Sequence, residues 1–514
     1  MEAEYKKAAK YLPGSVIRLH TILLPKTPDP TLVNEFMDIL TPFKNVTELR
    51  KHLKLMKTGS TSGPLGITVE HLLYASDETL EAFLLLTHAA FAGIHAAEAV
   101  IGEIRPLHKS DEKFRPIALL EISHKLVTAT IASRLSSLLF KHKLVDPSHF
   151  GFLKGGSVSI PIRILTTLYE RARAEHTKSG DGNDCHAGLL DLVSAFDNVS
   201  HALLEAAFAR IGAPPAFCDW ISNLLHNQRR FVSTAGRAGS SDESFILEGG
   251  LPQGCASSPI FFVVYFDVLI ASLHAHMGAQ GCTLGNALIQ SIVFGDDCTI
   301  PMPTHAILQM AMNCFGPDSA CLSARCNCTK SLYAAGTTPA VPKPIFLPSL
   351  NERGIFSTGE LPTILPNRPP NTTKDPTPYF FRLLGVLLQR GETSTHGPWC
   401  PQTAAIRNRI AAFASLAKAL PFSFPESKLA LSSHFIPKSC FSLSKVLFDI
   451  DLIYEVQAIC TAVSLSSAGI DTPPNQNIMT AAAMVSHNGT FTGIGTPDPL
   501  TGIPLCIATP QFMS

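Results

Sequence analysis

No two cysteines stand in a C-x-x-C arrangement, although 13 are scattered along the chain. The tightest group, CLSARCNC with Cys321, Cys326 and Cys328, has no histidine at ligand spacing. Reduced thiols are therefore the preferred reading over a zinc site. The first residues, MEAEYKKAAKYLPG, lack the apolar core of a signal peptide. The most apolar run, PIFFVVYFDVLIASL, carries Asp267 and falls short of a bilayer span, so no membrane association is expected. An intracellular protein is expected, in which triplets such as Asn198-Val-Ser have no glycan meaning. Excess charge is missing too: Lys+Arg and Asp+Glu both total 41. That excludes a uniformly basic nucleic-acid coat and leaves room for a local basic channel. What is present, 46% hydrophobic and 16% charged residues over 514, suits a globular protein with more than one domain or one large multi-part enzyme. There is no internal repeat.

Residues from about 45 to 145 read as mostly helical. In TELRKHLKLMK, Arg50, Lys54 and Lys57 share one face opposite Leu49, Leu53 and Met56. That face is either solvated or phosphate-tracking. Ala187 to Leu190 reads as a short buried strand ending in an acid. SHALLEAAFARIG reads as an amphipathic helix with Ser200 as N-cap, a stripe of Leu203, Leu204, Ala207, Phe208 and Ile211, and a stop at Gly212. A second helix starts behind Pro214 and Pro215. GGLPQGCASSPIFFVVYFDVLIASLHAHM predicts a glycine-rich turn feeding a long apolar helix, with a metal pair at His274 and His276 disfavoured. LIQSIVFGDDCTI predicts a hairpin with acids at its tip, and PYFFRLLGVLLQR is strand-like. QTAAIRNRIAAFASLAKAL reads as helical, and the last fifty residues, nearly uncharged, are expected to be poorly ordered.

Three acids, Asp191, Asp296 and Asp297, stand at the ends of apolar strands. Adjacent carboxylates repel, and burial makes the repulsion worse. Hard divalent cations remove that cost, because Mg²⁺ favours one or two carboxylates completed by waters and phosphate oxygens. A pair of such ions about 3.5–4 Å apart can activate a hydroxyl and stabilise a leaving pyrophosphate.

These blocks, in this order, resemble the reverse transcriptases of non-LTR retrotransposons, from roughly Gly59 to Tyr454. GSTSGPLGI resembles that family's opening block, and LHKSDEKFRPIALLEISHKLVTATIASRL its fingers segment. HFGFLKGGS resembles the block before the palm. DLVSAFDNVSH, GLPQGCASSP and FGDD are similar to the three palm motifs, and NCTKSLY to the lysine block after them. FRLLGV resembles the hairpin that grips the primer, and ESKLALSSHFIPK the thumb. The resemblance implies an α+β right-hand polymerase fold, with fingers, a palm whose antiparallel sheet carries the aspartates, and a helical thumb. It divides the chain into an N-terminal extension (1–44), fingers (45–180), palm core (181–335), a Pro/Thr-rich loop (336–378), a primer-grip hairpin (379–394), thumb-like helices (395–464) and a low-charge tail (465–514).

The implied activity is RNA-directed DNA synthesis, with an RNA template, a DNA or RNA primer, deoxynucleoside triphosphates and two Mg²⁺ ions, Mn²⁺ being a possible substitute. Asp191 and Asp296 match the family's metal-binding aspartates, and Asp297 is the accompanying acid. Phe196 matches the aromatic beneath the incoming sugar, where a ring would collide with a 2′-hydroxyl. Gln253 and Gly254 match residues around the nascent pair. Lys109 and Arg115 match the fingers cations that meet the triphosphate, with Lys113 able to take the task of Lys109. Lys330 matches the lysine near the leaving pyrophosphate, a general acid by type. Leu384 and Gly385 match the primer grip. Residence in the nucleus follows from the resemblance alone.

The pattern departs at Leu65, where the family usually has an acid, and at His149, where it often has glutamine. It departs again at Leu153 and Gly156, where it has arginines, and at Gly295, where alanine is commoner. The first four are expected to lie among nucleic-acid contacts. No stretch resembles an endonuclease, zinc knuckle or ribonuclease H module, so the chain is either part of a longer element or relies on nicking supplied elsewhere. Two other readings compete. One is a viral-type RNA-dependent RNA polymerase, in which Asp197 would meet the ribose hydroxyl; otherwise Asp197 is expected to cap the following helix. The other is a decayed or domesticated product that binds RNA without catalysis.

Overall fold

A computed structural model describes residues 13–27, 29–94, 101–110, 113–179, 184–226, 228–233, 244–336, 343–350, 356–364, 380–384 and 386–389, with residue 412. The expected thumb helices and low-charge tail lie outside the described residues. Helices α1 (Pro13–Ile22), α2 (Pro30–Ile39), α3 (Val46–Leu55), α4 (Val69–Leu73) and α5 (Asp77–Phe91) precede a hairpin of β1 (Ile101–Ser110) and β2 (Lys113–Leu119). Then come α6 (Ile122–His142), α7 (Ser159–Ser179), β3 (His186–Leu190), α8 (His201–Arg210), α9 (Pro215–His226), β4 (Arg229–Val232) and β5 (Phe245–Ile246). The long α10 (Ser258–Met277) leads into a small hairpin, β6 (Cys282–Leu284) and β7 (Ala287–Ile289), and a second one, β8 (Ile292–Phe294) and β9 (Asp297–Met302). Last are α11 (His305–Cys321), β10 (Leu332–Ala334), β11 (Phe346–Leu350), β12 (Phe356–Glu360), β13 (Thr363–Ile364), β14 (Phe380–Leu383) and β15 (Val386–Gln389). The chain forms two compact units, one of residues 1–161 and 181–363, the other of 162–180 and 364–514. The architecture is α+β.

In the first unit the central sheet has the order β13-β10-β3-β9-β8. β3 lies inside it, antiparallel to both β9 and β10, and all five of its residues are buried. That explains its reading as an uninterrupted apolar run, since a strand covered on both faces has no polar side. α10 is apolar all round for the same reason: it packs against α11, α8, α1 and α6. At 20 residues it is longer than the sequence run suggested and, by length and composition, could cross a membrane; 78% of its apolar window is buried inside the protein. Each Phe or Leu sequestered along it stabilises the fold by about 1.5–3 kcal/mol. Its one acid, Asp267, is 1% exposed and sits 2.7 Å from an Arg210 nitrogen and 3.2 Å from His149 Nε2.

Several local expectations hold. α8 is capped by Ser200, whose hydroxyl accepts from the Leu203 N–H, and α9 opens on Pro215. Others need correction. The stretch 45–145 is not continuously helical, because 101–119 forms the β1–β2 hairpin, and β1 also pairs in parallel with β4. That second pairing is more than a hundred residues away, so no local pattern announces it. The segment 336–378 is not simply a loop, since Phe346–Leu350 pairs with Phe356–Glu360. The basic face of α3 is partly spent inside the protein: Arg50 donates to the Leu73 and Ala75 carbonyls and to Asp77 at 2.7 Å. Lys57 lies beyond the helix end at Leu55.

Candidate active site

β3 and β9 run antiparallel, with Leu190 opposite Cys298. Asp191 and Asp297 flank that last pair, and the two carboxylates are close enough for the charge of Asp191 to act on Asp297. β8 and β9 close through Gly295 and Asp296, with Phe294 opposite Asp297. Gly295 takes φ +67°, the left-handed region in which glycine carries no steric penalty. This tight turn delivers Asp296 and Asp297 together to the end of the strand that carries Asp191.

The electrostatics match that convergence. Burial, then the charges of Asp296 and Asp191, push the Asp297 carboxyl up from 3.8 to about 6. One cation stands close, Lys330 Nζ at 4.0 Å from Asp191 Oδ2, with both side chains substantially exposed. Such a pair contributes little stability. The turn that carries Lys330 is docked on the Asp191 backbone: Asn327 N–H donates to the Asp191 carbonyl at 2.8 Å, and Asp191 N–H donates to Ser331 Oγ at 3.0 Å. Nothing in the sequence linked Ser331 or Asn327 to Asp191, since the contact spans some 140 positions. Among the described residues no group of three or more His, Cys, Asp or Glu side chains is arranged to hold a metal ion. The three carboxylates offer oxygen donors, the chemistry that hard divalent cations favour when waters and phosphate oxygens complete the shell.

Phe196 and Gln253 meet at the next turn. Leu251 N–H donates to the Phe196 carbonyl at 2.8 Å, and the Phe196 ring stacks on Phe262 at 4.6 Å. Gln253 Nε2 donates to Asp197 Oδ1 at 3.3 Å. Asp197 is therefore not the cap of α8, a place that Ser200 takes. Gly254 has φ +133°, and a Cβ there would lie 2.2 Å from the Ala118 carbonyl oxygen. Its close approach is thus to the backbone of β2, which the Ala118 N–H also joins to the Gln253 carbonyl at 2.7 Å. Arg115 is exposed on β2, opposite Leu107. Lys109 sits at the bulge of β1, and its side chain lies outside the described residues. Leu384 turns between β14 and β15 with φ +48°, in the second unit, and Gly385 lies outside the described residues.

The positions that depart from the family pattern each have a definite local setting. His149 is buried against Asp267. Leu65 presents its N–H to Glu121 Oε1 at 2.6 Å, and Leu153 packs against the core. At Gly156 a Cβ would lie 2.3 Å from the Phe150 carbonyl, so an arginine does not fit that loop. His274 bonds Asp146 and Ser291, at 2.9 Å each, rather than a neighbouring histidine. Cys321 and Cys326 are buried free thiols, and Cys328 is a partly buried one.

The reverse transcriptase (RNA-dependent DNA polymerase) family matches residues 107–336, the span that contains this cluster. The chain is 28% identical over 205 residues to the retrovirus-related Pol polyprotein of the type-2 retrotransposable element R2DM of Drosophila melanogaster, covering 40% of this chain and 18% of that protein. It is 25% identical over 232 residues to the Pol polyprotein of a type-1 retrotransposable element R2 of Popillia japonica, covering 44% and 31%. A similar R2 polyprotein of Bradysia coprophila is 24% identical over 219 residues, covering 42% and 23%. The chain thus spans less than a third of the length of these relatives. The aspartate cluster lies within the residues that match the reverse transcriptase family, and over much of the same span the chain is similar to Pol polyproteins of R2 retrotransposable elements.

Proposed function

We propose that the chain is an RNA-directed DNA polymerase that adds deoxynucleotides to a primer 3′-hydroxyl on an RNA template. The observation that carries this is the meeting of Asp191, Asp296 and Asp297 at one end of the central sheet, with Lys330 4.0 Å from Asp191. Asp191, Asp296 and Asp297 would hold two Mg²⁺, or Mn²⁺ in their place. When bound, such ions polarise the attacking hydroxyl and stabilise the charge on the leaving pyrophosphate. Lys330 is the candidate donor of a proton to the leaving pyrophosphate. Lys109 and Arg115 on the β1–β2 hairpin take the triphosphate, as a fingers element does. Phe196, braced by Phe262, floors the sugar site, and Gln253 and Gly254 close its side. The β10-β3-β9-β8 sheet is the palm in this reading, and Leu384 with Gly385 grips the primer. The RNA template and the DNA or RNA primer follow from the same activity, and residence in the nucleus from the family resemblance alone.

The aromatic ring of Phe196 speaks against ribonucleotide polymerisation, and the convergence of the three carboxylates against a binding protein without catalysis. The experiment is extension of a labelled primer on an RNA template with Mg²⁺, comparing deoxynucleotides with ribonucleotides. The expected result is deoxynucleotide extension that Asp296→Asn abolishes. Extension unaffected by Asp296→Asn would refute the assignment.

A further inference from the structure

We propose that Asp197 and Gln253 form a sugar-selecting latch, in which Gln253 covers a carboxylate that would otherwise accept from a ribose 2′-hydroxyl. Asp197 in return holds the Gln253 amide in one orientation beside the nucleotide. The inference rests on the polymerase reading above and assigns a specificity role to a residue outside the metal cluster.

Asp197 follows Phe196 directly and lies six positions after Asp191, so it stands at the edge of the sugar site. The backbone fixes it there from both sides. Asp197 and Asn198 donate their N–H groups to the Ser194 carbonyl at 3.0 and 3.1 Å, and Asn198 Nδ2 donates to the Val193 carbonyl at 2.7 Å. Ser194 itself takes φ +48°, the left-handed conformation that closes this turn. On the other side, Gly250 donates to the Val199 carbonyl and Leu251 to the Phe196 carbonyl, both at 2.8 Å. A Cβ at Gly250 would stand 2.8 Å from the Asp197 carbonyl oxygen, so the two segments touch backbone to backbone. The backbone contacts therefore hold the Asp197 and Gln253 segments side by side.

The chemistry then dictates direction. An ionised carboxylate only accepts, so Gln253 must turn its NH₂ to Asp197 at 3.3 Å. Its carbonyl oxygen and second N–H are left for the nucleotide. A free aspartate at this place would be an acceptor for a 2′-hydroxyl, the opposite preference to that of the Phe196 ring. The bond to Gln253 removes that conflict.

The test is steady-state single-nucleotide extension with a deoxynucleotide and its ribonucleotide, for wild type, Asp197→Ala, Asp197→Asn, Gln253→Leu and the double variant Asp197→Ala/Gln253→Leu. Losing a hydrogen bond to a charged group corresponds to about a tenfold effect. Asp197→Ala should raise the deoxynucleotide KM about tenfold with kcat little changed, and Asp197→Asn, whose amide oxygen still accepts from Gln253, should restore it. Gln253→Leu should lower the deoxy-to-ribo ratio of kcat/KM about tenfold, and the double variant should lose the ribonucleotide gain. An unchanged ratio in Gln253→Leu, or no restoration by Asp197→Asn, overturns the latch while leaving the polymerase standing. A wild type that extends neither nucleotide overturns the polymerase reading and the latch together.

Discussion

Replacing Asp297 by asparagine should make the protein more stable in the absence of divalent cations. Its carboxyl is lifted from 3.8 to about 6 by burial and by the charges of Asp296 and Asp191. An acid whose folded-state value is raised is penalised when charged, so the penalty is complete above about pH 7. It shrinks as pH falls through about 6 and vanishes near the unfolded-state value of 3.8. At about 1.4 kcal/mol per unit, the two-unit shift would correspond to about 3 kcal/mol for a fully sequestered group. Asp297 is exposed on one side, and solvent screening reduces this to about 1 kcal/mol. For a unit of this size that is about 2 °C in melting temperature. The assay is thermal unfolding with chelator at about pH 7.5 and about pH 5. Asp297→Asn should melt above wild type at the higher pH, and the gap should narrow to about half at the lower one. Millimolar Mg²⁺ should then raise the wild type more than the variant, because a bound cation turns the repulsion into attraction. A variant that melts at or below wild type with chelator at the higher pH would refute the reasoning.

Gly254→Ala should cost about 2–3 kcal/mol in denaturant unfolding, since its Cβ has only 2.2 Å to the Ala118 carbonyl and the backbone on both sides is fixed. Asp267→Leu should cost about 3–5 kcal/mol, because it strands Arg210 and His149 without their shared carboxylate in the core. Gly156→Arg, which restores the family's residue, should lower stability and not raise RNA affinity in filter binding, as the Phe150 carbonyl occupies the Cβ position. Arg50→Ala should lower the melting temperature while leaving RNA affinity unchanged, because its guanidinium is spent on Leu73, Ala75 and Asp77.

The sequence alone determined several local features around the aspartates. Asp191 after an apolar run, the Gly295-Asp296-Asp297 tip and the helix behind Ser200 are local features, governed by strand alternation, turn geometry and capping, and each stands where its pattern placed it. The buried helix after GLPQG was legible because a segment apolar on every side has nowhere to go but the interior. The pairing of β1 with β4, the docking of Lys330 on Asp191 through Asn327 and Ser331, the turn of Asp197 toward Gln253 and the burial of His149 on Asp267 were decided by tertiary structure. Each joins residues dozens to more than a hundred positions apart, so its energy exists only once the chain has folded, and a polar side chain alone does not reveal whether its partner will be water, substrate or another part of the protein.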